Sequence, residues 1–123
     1  MLEAYSTNIA VEADAAIPFN STSLIKGCTA THPSADTFNL NKCGVYMVSV
    51  DASASVATTI ALYKDGVLQP QAQSTGDVVS FTTLVQVDRN NCECACSSPV
   101  SLQITSDTAA TLTNCNIVIT KVV

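Results

Sequence analysis

Charge is what this sequence has least of. Asp, Glu, Lys and Arg make up 12% of its 123 residues, against about a quarter in an average soluble domain. The balance is acidic, ten Asp and Glu against five Lys and Arg, and the basic residues nowhere cluster. Without a basic patch the counterion release that drives nucleic-acid binding has no source, so nucleic acid is not expected as a partner. Trp is absent and aromatics amount to 5%, which argues against a sugar-cleaving cleft, where a carboxylate pair works beside stacking aromatic rings. Apolar runs never exceed strand length, so no segment reads as a membrane span and no membrane partner is expected. The start, Met1-Leu2-Glu3-Ala4-Tyr5-Ser6, lacks the basic and apolar regions of a secretory signal, which predicts synthesis in a cytoplasm without a signal peptide.

The bulk of the chain is Val, Ile, Leu, Ala, Thr and Ser, and stiff β-branched side chains suit a pleated surface. Period-two alternation and turn residues predict strands at Asn8–Val11, Ala16–Phe19, Ile25–Thr29, Thr37–Leu40, Gly44–Ala52 and Thr58–Lys64. Further strands are predicted at Val67–Gln71, Val78–Asp88, Val100–Thr105, Ala110–Asn114 and Asn116–Val122. Lys64-Asp65-Gly66-Val67 is a hairpin signal, because Asp-Gly accepts the positive φ angles of a tight primed turn. Thr75-Gly76-Asp77 and Asn90-Asn91 mark further turns. Many short strands with regular turns give an all-β antiparallel sandwich or jelly roll. One domain, residues 15–123, accounts for the pattern, with residues 1–14 as an N-terminal arm or first strand.

Several strands are apolar on both sides. In Gly44–Ala52, Tyr46, Val48 and Val50 fill one face while Val45 and Met47 occupy the other. In Val78–Asp88, Leu84 interrupts the polar row of Ser80, Thr82 and Gln86, and in the last strand Val118 and Val122 face away from Ile117 and Ile119. Val45, Met47, Leu84, Val118 and Val122 therefore define a second hydrophobic surface, which predicts a subunit interface; the alternative is a covering by loops or by the N-terminal segment.

The segment Phe38-Asn39-Leu40-Asn41-Lys42-Cys43-Gly44-Val45-Tyr46-Met47-Val48-Ser49, with its Gly-x-Tyr and apolar strand, resembles the globular heads of the tumour-necrosis-factor and complement-head superfamily, bacterial and phage members included. Ile60-Ala61-Leu62-Tyr63-Lys64-Asp65-Gly66 is similar to that family's next hairpin, and the likeness runs from Ala15 to Val122. The resemblance implies a jelly roll of about ten strands that assembles as a homotrimer through one sheet. It further implies a structural virion protein, a decoration or head-fibre protein on a phage capsid. Its partners would be itself and the major capsid protein or another virion component, at the virion surface, after synthesis in the host cytoplasm. Leu2 and Tyr5 are the residues expected to anchor it to the shell. The alternative is a trimeric receptor- or carbohydrate-binding head used in host attachment or on a bacterial surface.

Six cysteines, Cys28, Cys43, Cys92, Cys94, Cys96 and Cys115, leave disulfides, free thiols and a soft-metal site all open. Cys92-Glu93-Cys94-Ala95-Cys96 is spaced as Cys-x-Cys-x-Cys rather than Cys-x-x-Cys, so no resident metal or other cofactor is assigned. His32 and Asp36 could be drawn into a triad with a serine, but no Gly-x-Ser-x-Gly frames them and His32 reads as a solvated loop residue. The remaining carboxylates are scattered; Asp77 or Asp88 would suit calcium only within an Asp-rich loop, and there is none. No catalytic residue is assigned, and the protein is expected not to be an enzyme.

Overall fold

Alternation of burial along every long strand decides the architecture. The computed structural model describes residues 1–87 and 99–123, which form strands and no helix. The strands are β1 (Leu2–Val11), β2 (Ala15–Ala16), β3 (Ser21–Ile25), β4 (Ala30–Ser34), β5 (Thr37–Leu40), β6 (Gly44–Lys64), β7 (Val67–Val87), β8 (Val100–Ser106) and β9 (Ala110–Lys121). All pairings are antiparallel, in the order β3-β1-β9-β6-β8-β5-β4, with β7 on β6 and β2 on β8.

β6 and β7, 21 residues each, make a long hairpin that belongs to two sheets in succession. The first half of β6 pairs with β9, from Tyr46↔Lys121 to Ala54↔Leu112, and its second half with β8, from Ile60↔Ser106 to Lys64↔Leu102. Register shifts between Ser53 and Thr58 mark the passage. One sheet is thus β3-β1-β9-β6-β7 and the other β4-β5-β8-β6-β7, and a single core lies between them. Tyr46, Val48 and Val50 of β6, Ile117 and Ile119 of β9, Leu102 and Ile104 of β8 and Phe38 of β5 are all fully enclosed. Phe19 meets Phe38 edge-on at 5.4 Å.

The Asp65-Gly66 turn forms as its sequence predicts, with φ of 50° and 81°. Other boundaries differ for identifiable reasons. β1 begins at Leu2 rather than Asn8; Asn8, at φ 51°, interrupts a strand that pairs with β9 in one unshifted register on both sides of it, Thr7 with Asn114 and Ile9 with Leu112. The predicted strand Ala16–Phe19 survives only as β2, because Pro18 has no N–H to donate; the N–H of Ile17 bonds Ile104 and that of Phe19 bonds Ala35, each at 2.7 Å. The predicted strand Ile25–Thr29 is displaced to β3, and the chain turns at Gly27, φ 77°. β4, unforeseen, carries Pro33 as an edge strand can. The separate strands predicted within 44–64, within 67–87 and within 110–122 are continuous.

Residues 1–14 are consequently no free arm. Leu2 is completely buried in the core and Ala4 beside it, so the expectation that Leu2 anchors the protein to a shell is overturned: its side chain is already spent on folding. Tyr5, 39% exposed, faces outward.

Candidate self-association surface

Because Tyr46, Val48 and Val50 point into the core, Val45 and Met47 must point out. Cross-strand pairing then collects the outward residues into rows. Met47 lies between Leu84 of β7 and Thr120 of β9. The next row is Glu3, Val118, Ser49 and Thr82, with Leu24 of β3 beyond Glu3. On the other side Val45 pairs with Gln86, and the N–H of Val122 bonds the Val45 carbonyl at 2.8 Å. The fold therefore brings Val45, Met47, Leu84, Val118 and Val122 onto one outward face of one sheet. Leu84 is 61% and Val122 49% exposed, while the other three are half-covered by their neighbours. Val78, 73% exposed and opposite Ser53 on the same face, belongs with them. It went unnoticed in the sequence because it starts its strand and has no apolar residue at i+2. Toward Asp51, Asn116 and Ser80 the face turns polar, with Ser49 and Thr82 joined at 3.0 Å.

The sheet edges point to the same place. β3 and β4 are tied to each other by the Thr22–His32 bond of 3.0 Å, and β4 holds Pro33. Among the described residues β7 pairs with β6 alone, which leaves it an edge along its length. Its first half is blunted: four residues, Gln69–Ala72 with Pro70 among them, stand opposite Leu62 alone. Its second half, Val78 to Val87, runs in unbroken register from Ser53 to Gly44 with neither proline nor charge. That half borders the apolar face.

The Gly-x-Tyr segment shapes the end of this face. Gly44 has φ 140°, and a Cβ there would collide with the Val123 carbonyl and the Lys121 side chain. Tyr46 is buried, and its hydroxyl donates to the Lys42 carbonyl (2.8 Å) and accepts from the Lys42 N–H (3.2 Å). Burial, more than the Lys42 bond opposes it, raises the Tyr46 phenol above its usual range.

Of the cysteines, Cys115 is a core residue of β9 facing Ala52, and burial, then the Asp51 charge, pushes its thiol up to about 12. A thiol so enclosed and so reluctant to ionise is a poor thiolate ligand for a metal. Cys28 is exposed and Cys43 packs against the core. Cys92, Cys94, Cys96, Asp88 and the Asn90-Asn91 turn lie outside the described residues. No cluster of three metal-binding side chains occurs among the described residues.

His32 corrects another expectation. It sits on β4, stacked on Phe38 at 4.3 Å, with Nε2 donating to the Ala35 carbonyl and Nδ1 accepting from the Thr22 hydroxyl, both at 3.0 Å. Asp36 instead accepts from Ser34 and Thr37, so the two are not joined as in a triad. A hydroxyl–carboxylate group does assemble elsewhere: Asp107 accepts from Thr58, Thr108 and the Thr59 N–H, which lowers its pKa, and Thr58 meets Ser106 at 2.6 Å. It staples the β6 crossing to the end of β8.

No protein-family model and no curated protein matches the sequence. Solved structures do match the fold. The globular domain of zebrafish complement 1qA superposes with a TM-score of 0.75 at 11% identity, covering 99% of this chain and 96% of that one. Vertex protein P5 of phage PRD1 gives 0.70 at 14%, with the same coverage. Rabbit GITRL, of the tumour-necrosis-factor family, gives 0.64 at 10%, covering 100% and 95%. The fold is that of the tumour-necrosis-factor and complement-1q jelly rolls, as the Gly44-x-Tyr46 resemblance implied.

Proposed function

We propose that this chain is a non-enzymatic structural protein, a homotrimeric jelly-roll head that decorates a phage capsid. The observation that carries the trimer is the coincidence of the outward apolar face with the unblunted half of the β7 edge. A sheet edge left flat and uncharged invites pairing unless something covers it, and a face bearing Met47, Leu84, Val118 and Val122 has apolar area to bury. A second copy supplies both needs at once, since each subunit carries one such edge and one such face, and a head-to-tail contact of that kind closes into a trimeric ring when each step turns by a third of a circle. The likeness to a phage vertex protein supports the particle as the setting, as does the low surface charge.

Sedimentation equilibrium tests the assembly. The protein should sediment as a trimer, and Met47→Asp or Val118→Asp as monomers, because each would bury a carboxylate without a partner. A Met47→Asp, Val118→Asp double variant that stays trimeric would sink the interface. For the particle, virions of the encoding phage, purified on a density gradient, should contain the protein by mass spectrometry; virions lacking it refute the capsid role.

A further inference from the structure

The fold gathers charges that are scattered in the sequence at the two ends of the sandwich. One sheet runs from Gly44 and Val87 to Ser53 and Val78. The other runs the same way, from Leu40 and Val100 to Ala15 and Ser106, because only residues 41–43 separate Leu40 from Gly44. All four lysines of the chain stand at the first end. Lys42 lies in the link between Leu40 and Gly44, Lys121 is opposite Tyr46, and Lys64 donates to the Gln86 carbonyl at 2.7 Å. Lys26 follows β3, where its N–H bonds the Met1 carbonyl at 2.8 Å and Ile25 pairs with Leu2. At the far end Glu12 and Asp14 lie between β1 and β2, Asp77 between Gly76 and Val78 of β7, and Asp107 just after β8. Among the described residues no Lys or Arg accompanies them. Backbone and hydroxyl bonds hold this end together: the Asp14 N–H bonds the Ser106 carbonyl at 2.7 Å, and Thr58, opposite Gly76, donates to Asp107 at 3.0 Å.

Neither end neutralises itself. Lys26 and Lys42 are exposed, and so are Glu12, Asp14, Asp77 and Asp107. Of the carboxylates on the lysine side, Asp65 accepts from the Ser101 N–H at 2.9 Å and Glu3, further in, from the Ser23 hydroxyl at 2.7 Å. The strand from Gly44 to Ser53 holds the ends roughly 30 Å apart, at about 3.3 Å per residue. That is about three Debye lengths at about 0.1 M salt, so each end acts on what touches it and hardly on the other. A second copy of a chain with net charge −5 is repelled on most approaches. End to end, however, four lysines meet four carboxylates at short range. We infer that copies of this chain associate end to end, the lysine end of one on the carboxylate end of the next. The second copy is favoured over another anionic partner because the complementary surface is present on the same molecule. A contact between unlike, opposite ends does not close and adds copies in a line. It leaves the sheet face free, so it stands apart from the trimer.

Sedimentation velocity over a range of protein concentration, at about 0.1 M and about 1 M NaCl, tests it. At the lower salt the sedimentation coefficient should climb with concentration beyond that of the unit held by the sheet face. The association constant should fall about tenfold or more at the higher salt, where the Debye length is about 3 Å. Lys26→Glu with Lys42→Glu, and separately Glu12→Lys with Asp77→Lys, should each stop the climb. All four side chains are exposed, so thermal unfolding of both double variants should match the parent. The first variant keeps its carboxylate end and the second its lysine end, so a mixture of the two should associate again but stop at pairs of units. Val118→Asp should show the same salt-sensitive climb starting from the monomer, so that loss of the trimer and loss of the end contact are read separately. A coefficient that does not climb at the lower salt, a climb that survives the higher salt, or a mixture that stays apart overturns the assignment. Retardation of an unassociated protein by dextran sulfate in a gel would overturn it in favour of an anionic polymer at the lysine end.

Discussion

Raising the pH should destabilise this protein through one buried thiol. Cys115 lies under the sheet opposite Ala52, and its pKa moves from 9.0 to about 12, chiefly through burial, with the Asp51 charge adding to it and the Asn116 backbone bond opposing it. The folded pKa is raised, so the stabilisation is complete below the unfolded value and is lost as pH rises from there toward the folded one. Between about pH 8 and pH 11 the unfolded thiol ionises while the folded one stays protonated, which removes about 2.5 kcal/mol of stability. Urea unfolding at both pH values measures it. Cys115→Ala should start about 1 kcal/mol lower, from the sulfur-sized void, but fall less steeply, so that the variant is the more stable protein at the alkaline end. Tyr46, whose phenol is also raised by burial, falls away in the difference because both proteins contain it. Parallel loss of stability in parent and variant would refute the reasoning.

Gly44→Ala should cost about 2–3 kcal/mol, since φ 140° and the Val123 carbonyl both oppose a Cβ; an unchanged melting temperature would contradict the close approach. Tyr46→Phe removes the hydroxyl from Lys42 while keeping the ring, and should lower Tm by roughly 4–8 °C, whereas Tyr5→Phe on the exposed side should leave Tm unmoved. Leu2→Ala should destabilise by about 2–5 kcal/mol in calorimetry, as a cavity in the core does; an effect confined to particle binding would restore Leu2 as an anchor.

What could be read in the sequence was local. The Asp65-Gly66 turn and the Gly44-x-Tyr46 segment state their geometry within a few residues, because positive φ and a buried Tyr between alternating valines have few solutions. The outward placement of Met47 and Val118 was legible for the same reason: once their neighbours are inside, period two leaves no choice. The failures were of partners distant in sequence. β1 was cut short because Ala4 and Ser6 are too small to announce an inward row, and Ser6 earns its burial by bonding Pro18 and Asn20. The predicted strands broke at Cys115, between Asn114 and Asn116, and only pairing with β1 and β6 shows both asparagines lying on a sheet. His32 looked solvated beside Pro33 because nothing nearby in the chain reveals Phe38 under its ring.

The shortage of charge with which the sequence is most easily distinguished is therefore two phenomena. On the β9 side Val45, Met47, Leu84 and Val118, residues that gain by leaving water, stand among Ser49, Thr82 and Thr120. On the β8 side stand threonines, glutamines and one tyrosine, which gain nothing by burial against an apolar partner and would leave polar groups unmet. Composition averages the two and cannot tell them apart; register can, because it assigns each uncharged residue to a side. The exposed apolar residues thus gather on the β9 side, where another copy can cover them, and that is why an aspartate at Val118 should act on assembly rather than on the core.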